Sequence, residues 1–132
     1  MNVKVGSLSD PEDAQGLAHF LEHMLFLGTE KYPDVDDYGV YLKSNGGFSN
    51  AYTAGDHTNY HFEVLPDALE GALDRFSQFF INPLFTEDYT EREINAVHSE
   101  HQMFMMNDFW RTRRITKEHL SEKHPENRLF NW

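Results

Sequence analysis

No cysteine occurs in the chain, which excludes a disulfide framework and any thiolate metal site and leaves the redox compartment open. A metal bound here must sit on histidine and carboxylate. Positive charge is scarce: 11 Lys and Arg stand against 22 Asp and Glu, for a net charge of −11. Such a surface repels polyanions, so neither nucleic acid nor an anionic membrane is expected as a partner, whereas neutral or cationic peptides fit. No stretch approaches the ~18 apolar residues of a membrane span, and Met1-Asn2-Val3-Lys4-Val5-Gly6 lacks the apolar core of a signal peptide. The chain reads as soluble, with the cytoplasm favoured and the compartment otherwise unknown. No internal repeat or low-complexity tract is visible. A length of 132 residues suffices for one domain and not comfortably for two.

What is present is concentrated between Gly16 and Gly28, read Gly-Leu-Ala-His-Phe-Leu-Glu-His-Met-Leu-Phe-Leu-Gly. Only His19, Glu22 and His23 are polar there, so an almost wholly apolar segment carries one island of three ionisable groups. On a helix His19 and His23 lie one turn apart on one face, with Glu22 beside them. Burying such groups unpaired costs several kcal/mol, and a divalent cation is among the few partners that offsets this for all three. The order His-x-x-Glu-His is also the inverzincin signature.

Along the chain, Asn2 to Leu8 alternates and reads as a short strand. Residues 9–13 form a turn, with Asp13 as cap of a helix that runs to Leu27 and stops at Gly28. A loop over residues 29–35 leads to a helix from about Asp36, which puts Tyr38, Tyr41 and Leu42 on one face and ends at Asn45-Gly46-Gly47. Strands Phe48 to Ala54 and Asn59 to Leu65 are expected to form a hairpin around Gly55-Asp56-His57. Pro66 and Asp67 start a helix with the stripe Leu69, Leu73, Phe76 and Phe80, broken at Asn82-Pro83. Thr86 opens a long helical tract past Trp110, followed by a basic patch, Arg111 to Lys117, that reads as a solvated helix face. Phe76, Phe79, Phe80 and Trp110 read as core. The apolar ending Leu129-Phe130-Asn131-Trp132 is unusual for a finished domain. Residues 1–132 are therefore expected to be a single, truncated domain.

A catalytic zinc normally takes three protein ligands, and the first helix supplies two. In the later tract Glu93, Ala96, Val97, Glu100 and Phe104 share one helical face. If that face packs on the first helix, Glu100 can complete the site while Glu93 hydrogen-bonds a histidine from behind. Spacing alone does not rank the two acids. Competing readings stand beside this one. Thr90-x-x-Glu93 matches a capping box, and Glu100 reads equally as a solvated acid. His98 and His101 offer a rival metal pair, although they point away from Val97 and Phe104. His57 and His61 in one extended strand are about 13 Å apart, too far to chelate one ion.

Six segments, Gly6 to Pro11, Gly16 to Thr29, Ser49 to Thr53, His57 to Tyr60, Leu69 to Phe76 and Arg92 to His101, together resemble the insulinase/pitrilysin family of zinc metallopeptidases in order and spacing. The resemblance covers nearly the whole chain. It implies one Zn²⁺ held by His19, His23 and Glu100, with Glu22 as general base and Glu93 as a supporting acid. It implies that Asn50, Ala51 and Tyr52 line the substrate on a strand edge that holds the peptide by added β-pairing. Tyr52 stands where the insulin-degrading branch commonly has phenylalanine. The implied fold is α+β, an antiparallel sheet with helices packed on one side, forming part of an insulinase-type N-terminal domain. Family members close a chamber around the peptide with further domains of the same protein.

The expected function is that of a zinc-dependent metalloendopeptidase acting on peptides or small proteins, with a metal-activated water and Glu22 as base. The alternatives are a non-catalytic peptide-binding or scaffolding half of a processing peptidase, and a fragment inactive without its partner domains. The complete set of His19, Glu22, His23 and Glu100 favours an enzyme, because an inactive half has no need to keep it. Homo-oligomerisation is left open.

Overall fold

The computed structural model describes residues 1–128. Side-chain alternation over residues 48–63 produces two strands, β2 (Phe48–Thr53) and β3 (Thr58–Glu63), paired antiparallel from Phe48 opposite Glu63 to Thr53 opposite Thr58. A two-residue β1 (Asn2–Val3) adds to the other side of β3, giving the order β1-β3-β2 and leaving β2 at the edge among the described residues. The expected strand from Asn2 to Leu8 stops early because the chain turns at Gly6. A Cβ there would lie 2.4 Å from the Ala54 carbonyl oxygen. The amides of Ser7 and Leu8 instead donate to the carbonyls of Ala54 and Gly55 at 3.0 and 2.8 Å, folding residues 7–9 into a 3₁₀ turn on the hairpin tip.

Six helices are found among the described residues: α1 (Leu17–Met24), α2 (Asp37–Ser44), α3 (Leu69–Gln78), α4 (Glu87–Met105), α5 (Asp108–Glu118) and α6 (Pro125–Arg128). One face of the sheet, carrying Tyr60 and Phe62, meets α2, α3 and the end of α1 around Leu25, Tyr38, Leu42, Ala72 and Phe79. Tyr38 and Phe79 meet edge to face at 4.9 Å, and Phe26 meets Phe79 at 5.1 Å. The opposite sheet face is open, with Phe48 and Tyr52 about half exposed. The architecture is α+β, with an antiparallel sheet covered on one side.

Four expectations are corrected. On α3, Leu69 and Leu73 are 46% and 48% exposed, whereas Ala72 is fully buried and Phe79 nearly so. Two overlapping stripes exist on this helix, and the one with alanines at Ala68 and Ala72 allows the closer approach to α2; Phe76 and Phe80 serve both. The long tract after Thr86 is two helices, because Asn107 is extended and its side chain accepts a hydrogen bond from Phe109 N, capping α5. Trp110 is not core: it packs on Phe104 at 4.9 Å and lines a cleft. Within the basic patch Lys117 is only 7% exposed, so that patch is not simply a solvated face. The apolar ending Leu129 to Trp132 lies outside the described residues.

The loop between α1 and α2 is tied down by one guanidinium. Arg75 lies 4.4 Å from the Tyr32 ring and 4.0 Å from the Tyr41 ring, and its Nε donates to Asp37 Oδ2 at 2.7 Å. The Tyr32 hydroxyl and Lys31 both donate to Asp74. Arg75→Ala is expected to lower the stability to urea by about 2 kcal/mol. Arg75→Lys should recover only part of that, since an ammonium cannot stack flat between two rings while keeping the Asp37 bond.

Candidate active site

The helix α1 starts because Asp10 caps it from a distance. Its Oδ2 accepts from Gly16 N at 2.8 Å and its Oδ1 from Ala18 N at 2.9 Å, while Gly16 itself turns at φ 90°. Asp10, not Asp13, therefore supplies the cap. Turns carry the chain on through Leu27 to Gly28, also at φ 90°. Within α1 Ala18 and Met24 are buried and Glu22 is buried with them at 7% exposure, whereas Leu17 and Leu21 stay exposed.

His19 and His23 project from the same face, with Nε2 atoms 3.1 Å apart. Helix α4 lies against α1 and brings two carboxylates to them. Glu93 Oε1 sits 2.6 Å from His23 Nδ1. A carboxylate accepts, so Nδ1 carries the proton and the lone pair of the neutral ring is on Nε2. Glu100 Oε2 is 3.6 Å from His23 Nε2 and 3.9 Å from His19 Nε2. One donor atom from each of His19, His23 and Glu100 lies within 4.8 Å of the others. Among the described residues no second such group of histidines and acids forms.

This donor set fits zinc. Donors at 2.0–2.1 Å in a tetrahedron are about 3.4 Å apart, and the observed separations of 3.1, 3.6 and 3.9 Å bracket that value. Burial and the neighbouring His23 push the His19 pKa down to about 4, so its ring is neutral and available as a ligand at physiological pH. Glu22 stands outside the donor group. Burial raises its pKa, and the Thr53 hydroxyl, donating to Oε2 at 2.6 Å, works against that rise by favouring the charged form.

The competing readings have separate outcomes. Helix α4 begins at Glu87 with Thr86 as its N-cap, and the Thr90 hydroxyl donates to the Thr86 carbonyl at 2.9 Å inside the helix. Glu93 is therefore well past the first turn and is not part of a capping box. His98 pairs with Gln102 at 2.9 Å and shares a different hollow with His101. His57 binds Asp56 at 2.7 Å and His61 approaches Asn59 at 3.2 Å, away from the zinc-type cluster.

A cleft of about 780 Å³ opens over the cluster, bounded by residues 49–54 of β2 and the following turn on one side and by Phe104, Trp110 and Arg113 on the other. Asn50, Ala51 and Tyr52 lie on this wall. The Ala51 amide is bound by the Asn50 side chain at 2.9 Å, and Tyr52 is 50% exposed. Sequence reasoning missed Thr53 and Arg113. Strand parity puts Thr53 on the covered face, but nothing in the spacing names Glu22 as its partner.

The family model described as Insulinase (Peptidase family M16) matches residues 1–126. The chain is 54% identical over 125 residues to insulin-degrading enzyme of Homo sapiens, covering 95% of this chain and 12% of that protein. It is 55% identical over 125 residues to insulin-degrading enzyme-like 1, peroxisomal, of Arabidopsis thaliana, covering 95% and 13%. It is 52% identical over 125 residues to the A-factor-processing enzyme of Saccharomyces cerevisiae, covering 95% and 12%. The crystal structure of pitrilysin superimposes with a TM-score of 0.88 at 45% identity, covering 96% of this chain and 13% of that one. The chain thus spans 12–13% of the length of these relatives. A family match over nearly every residue, on a fold shared with pitrilysin, means that the chain belongs to the insulinase family, peptidase family M16.

Proposed function

We propose that this chain carries the zinc-binding part of a metalloendopeptidase site that hydrolyses peptides or small proteins. The observation that carries the reading is the approach of His19, His23 and Glu100 to one point with the buried Glu22 beside them and outside the donor group. His19, His23 and Glu100 would hold one zinc ion, and zinc bound there would supply Lewis-acid chemistry, lowering the pKa of a water toward ~7 and polarising the scissile carbonyl.

Glu22 takes the proton from the attacking water and returns it to the leaving amine. Its raised pKa suits the second half of that cycle, and the Thr53 hydroxyl fixes Oε2 so that Oε1 is left for proton transfer. Glu93 is a positioning acid: by accepting from His23 Nδ1 it holds the ring and its tautomer. The substrate runs along the unpaired edge of β2 as an added strand, past Asn50, Ala51 and Tyr52. No described helix is long and apolar enough to cross a membrane.

The share of the relatives that this chain spans favours one addition: turnover depends on further domains of the parent protein that enclose the peptide. Elemental analysis of the purified chain should find one zinc per chain, removable by chelation. A quenched-fluorescent peptide assay on this chain and on the full-length parent then completes the test. Absence of zinc would overturn the site, and absence of turnover from both forms would overturn the enzyme reading in favour of a scaffold. Turnover in the parent alone would establish the dependence on other domains.

A further inference from the structure

The wall of the cleft changes character along α5. One turn past Glu100, Phe104 packs on Trp110 with ring centroids 4.9 Å apart, and one turn past Trp110 is Arg113. Arg113 and Lys117, four residues apart, line both the main cleft and an adjoining hollow of about 530 Å³ formed by α5 and α6. Both therefore border the same cleft as the zinc-type cluster. From this placement we infer that Arg113, backed by Lys117, is a specificity-determining group that receives an acidic side chain of the bound peptide. The inference rests on the peptidase reading above.

The Arg113 side chain is 48% exposed and lines the cleft. Arg113 is ion-paired with Glu126 through Nη2 at 3.8 Å, longer than a hydrogen bond, so the guanidinium keeps N–H donors that can take a substrate carboxylate through two parallel bonds. Lys117 is 7% exposed beneath it, and burial and Arg113 lower its pKa against the opposing pull of Glu126. The other acid of that hollow, Asp108, is engaged by Arg111 at 3.1 Å. Among the lining residues of a cleft that also carries Glu22, Glu93, Glu100 and Glu126, Arg113 and Lys117 are the two Lys/Arg side chains, and a neutral side chain placed against Arg113 would desolvate charge without replacing its hydrogen bonds. A purely structural pin between α5 and α6 would give no discrimination among substrate side chains.

The test uses the zinc-loaded chain in a Glu22→Gln background, so that peptide is not consumed. Fluorescein-labelled octapeptides with Glu, Gln or Lys scanned through each position are titrated and followed by anisotropy. At one position Glu should bind about tenfold more tightly than Lys, with the ratio shrinking as salt rises. Arg113→Gln should abolish that preference and Arg113→Glu should reverse it; if the charge reversal unfolds the chain, Arg113→Gln decides. A preference unchanged in the variants overturns this inference and leaves the peptidase reading standing. Failure of the zinc-loaded chain to bind any of the peptides overturns this inference, while the peptidase reading is decided separately by the turnover assay on the full-length parent.

Discussion

Glu22→Gln is expected to keep its zinc and lose peptide hydrolysis by 10²-fold or more, measured in whichever of the chain and its full-length parent turns over a quenched-fluorescent peptide. The magnitude is that of a general acid–base group removed from a positioned site, roughly 10²–10⁴-fold. The substitution is close to isosteric, and the amide oxygen can accept the hydrogen bond that Thr53 now gives to Oε2. The site geometry should therefore survive. An amide also avoids burying a carboxylate that is only 7% exposed, so the variant should unfold at no lower a urea concentration than the parent chain. Retained turnover in the zinc-loaded variant would remove Glu22 from the mechanism. Loss of zinc would instead put it among the ligands.

The second large effect separates the two acids of α4. Glu100→Gln removes the anionic donor of the proposed set, whose Oε2 lies 3.6 and 3.9 Å from the two histidine nitrogens. Glu93→Gln leaves all three donors in place and weakens only the bond at 2.6 Å that orients His23. A group acting through a ligand is worth about 10–100-fold in metal affinity, so Glu93→Gln should fall in that range and Glu100→Gln should cost distinctly more. Competition with a chromophoric chelator measures both. The reverse order would exchange the two roles.

Much of this molecule could be read before any coordinates. The pair His19 and His23 shares a face on any α-helix, because four residues advance the chain by slightly more than one turn. The apolar residues around them require that face to be partly buried. The hairpin follows from two alternating segments around Gly55-Asp56-His57, and its register keeps Ser49, Ala51 and Thr53 on the covered face opposite Phe62, Tyr60 and Thr58. Helix α2 buries Tyr38 and Leu42 as its periodicity requires.

Other features depend on where separate elements meet. Asp10 and Asp13 are both acceptable caps in sequence, and the path of the intervening turn selects Asp10. Leu69 and Leu73 carry the larger apolar surface of α3, yet Ala72 is the residue buried in the core, and Gly71 approaches α2 so closely that a Cβ there would lie 2.3 Å from the Tyr41 hydroxyl. Asn107 divides a tract of unbroken helical composition because its side chain accepts from the Phe109 amide in the first turn of a new helix.

By itself the sequence determined the α1 metal-ligand pattern and the hairpin, since these follow from periodicity within one segment or between adjacent ones. Only the tertiary structure decided how the acids are shared out. Glu93 and Glu100 are seven residues apart, nearly two full turns, and occupy the same face of α4. It is the crossing of α4 over α1 that sets Glu93 behind the ring at His23 Nδ1, brings Glu100 toward the open Nε2 atoms, and leaves Thr53 of β2 against Glu22.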